Sequence, residues 1–233
     1  MDDSDNLDEF FGIAERNRIG NIARFQAEYQ VLRRINMCLT SPGQHIVKPS
    51  PFICALLLLR CQYAYKAAVG MSLCGQVTEA FQMMRSCLEY AGYALVVFNN
   101  PALESVWIGR NTTPEAMRAQ KNAFKISELK AVIKTHDEKL AEIFSENYER
   151  AIDFGGHPNP HATMSTINMD NVEETGSFSV DALSNDPKVL LHALKSTAQV
   201  GLTALHMLQH IYPEKFELLG VKQEMQKLRN ENL

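Results

Sequence analysis

The 233-residue sequence lacks the marks of several common protein classes. Its 23 Lys and Arg stand against 27 Asp and Glu, which argues against a large basic nucleic-acid surface and leaves room only for a local basic patch. Its five cysteines form no Cys-x-x-Cys pair and lie in apolar stretches, as buried, reduced thiols do. The first residues are acidic and lack the basic and apolar segments of a secretory signal. We therefore expect a cytoplasmic protein.

No apolar run reaches the roughly 18–20 uncharged residues that a membrane span needs. The nearest stretch, Pro51 to Cys74, is interrupted by Arg60 and Lys66, so we expect no membrane partner. The phosphate-binding Gly-x-x-x-x-Gly-Lys, the dinucleotide-binding Gly-x-Gly-x-x-Gly and the Gly-x-Ser-x-Gly elbow are missing too. The sequence therefore predicts no cofactor.

Helical periodicity is abundant. Between Val77 and Phe98 apolar residues recur at steps of four and three, which keeps them on one helix face. The preceding stretch from Pro51 to Leu73 is apolar all round, as in a helix enclosed by other elements. With Gly75 as the break, the two predict an antiparallel hairpin of long helices.

The other apolar patterns predict a chain of further helices. They cover about 15–39, 101–107, 114–135 with a break near 124, 137–154, 186–212, and a last helix from 213. Residues 162–181 fit no helix and predict a small β-hairpin or an ordered loop. The prediction is an all-α fold: a flexible acidic N-terminus (1–14), then one bundle of long antiparallel helices (15–233), with that excursion before the last two helices.

Polar residues on apolar faces mark the first candidate site. Arg60 lies on the same stripe as core residues of its helix, so we expect it to find a carboxylate such as Glu89. Arg85 and Glu89 are four residues apart and can contact each other, and Tyr93 continues that edge. Two interpretations stay open: a structural ion pair between helices, or a cluster that holds an anion or performs catalysis.

A loop with two histidines is the second candidate. Two glycines and two prolines surround His157 and His161 just after a predicted helix end. Three interpretations compete: a structural loop, a proton-transfer or ligand site, and a metal site. The sequence marks no third metal ligand, so no metal residue is assigned.

The predicted helix over 186–212 also carries a polar face. We interpret it as a solvated stripe, with residues His192, Ser196, Gln199, Thr203, His206 and His210.

Three short motifs carry a resemblance to a known family: Arg85-Ser-Cys-Leu-Glu89, Asn99-Asn100-Pro101 and His157-Pro158. Between Ile53 and Ile211 the chain resembles uncharacterised prokaryotic helical proteins related to the HEPN bundles (higher eukaryotes and prokaryotes nucleotide-binding). HEPN ribonucleases carry Arg-x(4–6)-His and cut RNA without metal in a dimer. The resemblance implies that Arg150 stabilises phosphate charge and His157 moves the proton. Glu146, one turn earlier, can instead pair with Arg150.

Three functions follow as hypotheses, and whether the protein is an enzyme stays open. The first is a ligand- or partner-binding module with a polar pocket, whose residues are Arg60, Arg85, Glu89, Tyr93, His157 and His161. The second is a HEPN-like, metal-independent ribonuclease that uses Arg150 and His157. The third is a metal-dependent hydrolase that uses the His157/His161 loop. Expected partners are a second copy of the chain, as a homodimer, and RNA or a nucleotide.

Overall fold

The computed structural model describes residues 6–46, 51–156, 167–168, 179–180 and 182–231. Within them the chain is overwhelmingly helical, which confirms the all-α bundle. The helices are α1 (Leu7–Arg24), α2 (Gln26–Gln44), α3 (Phe52–Cys74), α4 (Val77–Asn99), α5 (Leu103–Ile108), α6 (Pro114–Ala123), α7 (Ile126–His136), α8 (Glu138–Ala151), α9 (Pro187–Ile211), α10 (Pro213–Leu218) and α11 (Val221–Arg229). A 3-10 turn (Gly109–Asn111) follows α5, and a wide turn (Ile152–Gly156) follows α8.

The α3–α4 hairpin forms the centre of the bundle, as predicted. Gly75 joins the two helices with φ of 93°, a left-handed conformation that favours glycine. A Cβ at this position would lie 2.5 Å from the Ser184 carbonyl oxygen, and the Ser184 N–H donates to the Gly75 carbonyl at 2.9 Å. The turn therefore requires glycine both for its dihedral angles and for the close approach of the chain before α9.

The long helix α9 packs against both members of the hairpin. Gly201 lets it approach closely, because a Cβ there would lie 2.5 Å from the Tyr65 ring and 2.6 Å from the Ile35 side chain. The apolar face predicted on α4 is buried from Phe81 to Leu95, whereas Phe98 at its end is exposed. The core is shared by α2, α3, α4, α7, α8 and α9, and the C-terminal helices α10 and α11 add further buried side chains to it.

The helix α3 is long and apolar enough to cross a membrane by length and composition alone. Over an 18-residue window of this helix the mean hydropathy is 1.4, and 56% of the window is buried inside the bundle. Arg60 and Lys66 lie on its exposed side. Neighbouring helices of the bundle therefore cover more than half of this window.

The N-terminal helices differ from the prediction. The periodicity predicted one helix over 15–39, whereas α1 already begins at Leu7 and the chain bends at Phe25 before α2. Asn21 explains part of the arrangement: it is buried, and its amide donates to the Leu73 carbonyl at 2.9 Å. Asn17 donates to the Cys74 carbonyl in the same way. The polar side of α1 thereby satisfies the free carbonyls at the end of α3.

Two predicted boundaries are confirmed. The break near Phe124 separates α6 from α7, and the Asp137 carboxylate accepts the Leu140 N–H at the start of α8 at 3.0 Å. All five cysteines are free thiols; four are buried and Cys74 is half-buried.

The segment predicted as a small hairpin or ordered loop is described at four residues only. Ile167–Asn168 pair antiparallel with Ser179–Val180, as β1 and β2. The remaining residues of 162–181 lie outside the described part of the chain, so the finer prediction for this segment stays a prediction.

Candidate functional site

A cluster of three polar side chains joins α4 to α8. Arg85 Nε donates to Glu89 Oε1 at 2.9 Å and to the Tyr148 hydroxyl at 3.1 Å. The Tyr148 hydroxyl donates to the same Glu89 oxygen at 2.9 Å. The Arg85 guanidinium also lies over the Tyr148 ring, 5.5 Å from its centroid. The predicted contact between Arg85 and Glu89 is confirmed, and a tyrosine of another helix completes it.

Burial and charge act together on the pKa values of this cluster. Burial lowers the pKa of Arg85, but the Glu89 carboxylate more than offsets it, so the net shift is upward. The Tyr148 hydroxyl has a pKa well above its usual value, first because it is buried and then because it faces the Glu89 carboxylate. Burial likewise raises the pKa of Tyr93 to about 12, with Glu89 adding to the shift. At neutral pH both tyrosines are therefore neutral hydroxyls.

Glu89 also faces an open cavity of about 410 Å³, here called the α4 cleft. The cleft lies between α4, the end of α5, the turn after it, and α6. Its residues are Ser86, Glu89, Tyr90, Tyr93, Trp107, Arg110, Gln120, Lys121 and Phe124. Its volume lies in the usual range for small-molecule sites.

Three aromatic rings form one wall of the α4 cleft. The Tyr93 ring lies 5.3 Å from Trp107 and 5.3 Å from Phe124, and the latter two are 4.9 Å apart, centroid to centroid. Edge-to-face contacts of this kind hold the rings in fixed orientations. Arg110 and Lys121, both exposed, are the two cations that line the cleft. The cleft therefore combines flat apolar surface, one carboxylate and two cations.

The prediction for Arg60 is wrong. Its side chain does not point into the core or pair with Glu89; it is exposed, and its guanidinium lies over the Tyr90 ring, 5.4 Å from the centroid. A long side chain at the edge of an apolar stripe can bend outward and keep its charge in water. Arg60 nevertheless lies next to the α4 cleft, because the Tyr90 side chain that it contacts lines this cleft.

Arg150 lies elsewhere, in the last turn of α8. Its Nη1 donates to Asn147 Oδ1 at 3.4 Å and to Gln199 Oε1 of α9. The alternative pairing with Glu146 is not formed; Glu146 is exposed. Arg150 lines a different cavity from that of Glu89 and Tyr93, and the two cavities share no residue.

His157 and His161 lie outside the described residues, so the assignments that rest on them stay predictions. Just before them, Gly155 is required by close packing, because a Cβ there would lie 2.1 Å from the Thr78 carbonyl oxygen of α4. In the described ranges no group of three His, Cys, Asp or Glu side chains could hold a metal ion.

The polar face of α9 is less solvated than predicted. Ser196 and Thr203 are buried, 2% exposed each. The Thr203 hydroxyl accepts from Asn147 of α8 at 3.1 Å and donates to the Gln199 carbonyl of its own helix at 2.8 Å. The stripe is therefore a contact between α8 and α9 along part of its length.

Three residues of the cluster and of the cleft were not predicted as site residues. Tyr148 lies in the helix predicted over 137–154, but nothing in the sequence indicates that its hydroxyl reaches Glu89. Trp107 and Phe124 lay in short predicted helices, where their aromatic character was visible but their position beside Tyr93 was not. Only the packing of α5 and α6 against α4 brings them together.

Comparison with known proteins adds no family to this geometry. No family model, no curated protein and no solved structure matches the chain. The resemblance to the HEPN bundles accordingly stays a prediction.

Proposed function

We propose that this protein is a ligand-binding helical bundle whose site is the α4 cleft. The observation that carries the proposal is the placement of the Glu89 carboxylate beside a wall of fixed aromatic rings, with two cations lining the same cavity. Such a cavity suits a planar ligand that stacks on the aromatic rings and bears both an N–H donor and an anionic group. Nucleotides, and bases exposed in single-stranded RNA, have this chemistry.

The Arg85 cluster supports the cleft from behind. Arg85 and Tyr148 both donate to the same oxygen, Oε1, of Glu89. Such contacts fix the orientation of a carboxylate, so that its oxygens are placed to accept a hydrogen bond from a ligand. In this proposal Glu89 contacts the ligand, whereas Arg85 and Tyr148 are positioning residues.

The single tryptophan provides the test, because Trp107 lines the α4 cleft. We expect its fluorescence, excited at 295 nm, to change in a saturable way when mononucleotides or a short single-stranded RNA are titrated. Arg110→Gln should weaken the anionic contact about tenfold, in line with a charge-assisted hydrogen bond. Arg118→Gln, at an exposed arginine of α6 that does not line the cleft, is the matched control.

Titration calorimetry on the same samples provides a measurement independent of the fluorophore. No saturable response to any of the four mononucleotides or the RNA up to millimolar concentration would contradict the proposed ligand. Equal weakening by Arg110→Gln and Arg118→Gln would point to a non-specific charge effect and also count against it.

A metal-independent ribonuclease is the second candidate, favoured by the geometry of Arg150. Its guanidinium is oriented by two neutral amide oxygens, so its positive charge remains available for a phosphate. The test is cleavage of labelled RNA in EDTA, abolished in both His157→Ala and Arg150→Gln. Cleavage that needs added metal, together with stoichiometric metal in the purified protein, would instead favour the hydrolase at His157 and His161.

We also propose that the protein forms a homodimer. Four exposed apolar side chains lie at helical spacing along α3, Phe52, Leu56, Leu59 and Tyr63. Light scattering measures the mass directly, and Leu56→Glu should shift a dimer toward the 26.2 kDa monomer. A monomer at all concentrations would exclude the dimer, and with it the dimeric HEPN-type ribonuclease.

A further inference from the structure

A second cavity lies between α8 and α9, and Arg229 of α11 also lines it. Its volume is about 430 Å³, and we call it the α8–α9 groove. Its polar and charged lining residues include Asp137, Asn147, Arg150, Gln199, His206 and Arg229.

The orientation of Arg150 is fixed without neutralising its charge. The two oxygens that accept from it belong to amides, which carry no charge. Asn147 is 4% exposed and is itself held by the Thr203 hydroxyl, so this acceptor cannot turn away. No carboxylate pairs with Arg150 among the residues that the structure describes, although Glu146 is one turn away. The guanidinium therefore keeps its charge and further N–H donors for another group.

More positive charge lines the same groove. Arg229, in the last turn of α11, is close enough to His206 to lower its pKa, after the larger effect of burial. Lys139 lines the groove as well. The nearby carboxylate of Asp137 is engaged as the cap of α8, where it accepts the Leu140 N–H. Three cationic side chains and two carboxylates therefore line the groove. One of the two carboxylates, that of Asp137, already accepts a backbone hydrogen bond.

Three side chains of the groove's wall are apolar. Leu140, Ile143 and Leu202 line the groove between the polar groups. The cavity is much larger than a bare phosphate. Its volume and its apolar side chains therefore favour an anion with a short hydrocarbon portion.

We propose that the α8–α9 groove binds a small organic oxyanion, a phosphate monoester or a carboxylate, whose charged oxygens contact Arg150 and whose apolar part packs against Leu140, Ile143 and Leu202. The planar fork of arginine matches both oxyanions with two parallel hydrogen bonds. The site does not depend on the α4 cleft and is separate from it.

Calorimetry with butyl phosphate, pentanoate and inorganic phosphate tests the proposal. These aliphatic probes have no ring to stack on the aromatic wall of the α4 cleft. We expect saturable binding of butyl phosphate or pentanoate, at least threefold tighter than inorganic phosphate. The preferred headgroup identifies the class of ligand. No binding of either organic probe at 10 mM, or tighter binding of inorganic phosphate, would overturn the proposal.

Two variants assign the contact to Arg150. Arg150→Gln keeps a hydrogen-bonding amide near Asn147 and Gln199 but removes the charge, and we expect it to weaken the preferred probe at least tenfold. Arg118→Gln removes an exposed arginine outside the groove and should change the affinity less than twofold. Equal effects of the two variants would mean that net charge alone attracts the anion, and would overturn the site.

Protein NMR provides a second readout. The side-chain amide signals of Asn147 and Gln199 should shift with the preferred probe in the wild-type protein, because both groups hold the contacting arginine. If the affinity fell in Arg150→Gln but these amides did not respond in the wild type, the anion would bind elsewhere.

Discussion

Arg85 and Arg150 are both half-buried, and the structure treats them in opposite ways. Arg85 meets a carboxylate and a tyrosine hydroxyl, so much of its charge is compensated inside the protein. Arg150 meets two amide oxygens and keeps its charge. An arginine held by a carboxylate positions that carboxylate, whereas an arginine held by amides retains an uncompensated charge that can bind an anion.

Removal of Glu89 should have the largest effect on stability. Glu89→Ala eliminates the acceptor of two hydrogen bonds, one of them to a guanidinium, and should lower the free energy of unfolding by about 2 kcal/mol. Urea unfolding followed by circular dichroism measures the change. Glu142→Ala, an exposed residue on α8, should stay within about 0.5 kcal/mol. A loss no greater than that of the control would show that the carboxylate does not hold the cluster together.

The Asn147→Ala variant tests how Arg150 is held in place. It removes a buried amide that bonds to both Thr203 and Arg150, and we expect a loss of about 1.5 kcal/mol. The variant should also bind butyl phosphate or pentanoate several-fold more weakly, because Arg150 loses one of its two acceptors. Unchanged binding despite lower stability would mean that Gln199 alone orients the guanidinium.

Tyr148→Phe removes one hydroxyl and retains the ring, which stacks on Phe144 at 5.7 Å. We expect a loss of about 1 kcal/mol, the usual net contribution of a hydrogen bond. Ligand affinity in the α4 cleft should fall by a few-fold because Glu89 loses one of its donors. Tyr63→Phe, at an exposed tyrosine, is the control and should leave both stability and affinity unchanged.

The smallest expected effect is a loss of stability on acidification, through His206 in the α8–α9 groove. Burial, and then the charge of Arg229, lower the pKa of His206 below its ordinary value of 6.5, while Asp137 acts in the opposite direction and His210 adds to the lowering. The unfolded chain therefore binds the proton more readily than the folded chain. Stability should fall as the pH drops from about 7 to below the folded pKa, and should not depend on this group at higher pH.

His206→Gln should reduce that pH dependence of stability, measured as the urea midpoint at pH 7.5 and pH 5.5. His45→Gln, at an exposed position, should leave it unchanged. A midpoint in His206→Gln that falls as steeply as in the wild type would assign the acid sensitivity to other groups, among them His192 and His210, whose pKa values burial also lowers.

Local sequence patterns were enough to predict the hairpin of α3 and α4, although they missed the start of α1 and the bend at Phe25. The spacing of apolar residues from Phe81 to Leu95 marked the buried face of α4, and Gly75 marked the turn, because both depend on local periodicity and backbone conformation. The sequence also determined the contact of Arg85 with Glu89, since two residues four apart on a helix are neighbours whatever surrounds them.

Which groups those side chains contact depends on how the helices pack. Arg60 and Arg85 both lie near an apolar stripe of their helix. The Arg60 side chain is exposed and covers the Tyr90 ring, whereas the Arg85 side chain is half-buried and donates to the Tyr148 hydroxyl. The aromatic wall of the α4 cleft forms only when α5 and α6 pack against α4, and one of the two amides on Arg150, that of Gln199, comes from α9, 49 residues further along the chain. Helix periodicity fixes which face a residue occupies, but which helix covers that face depends on how the whole bundle packs.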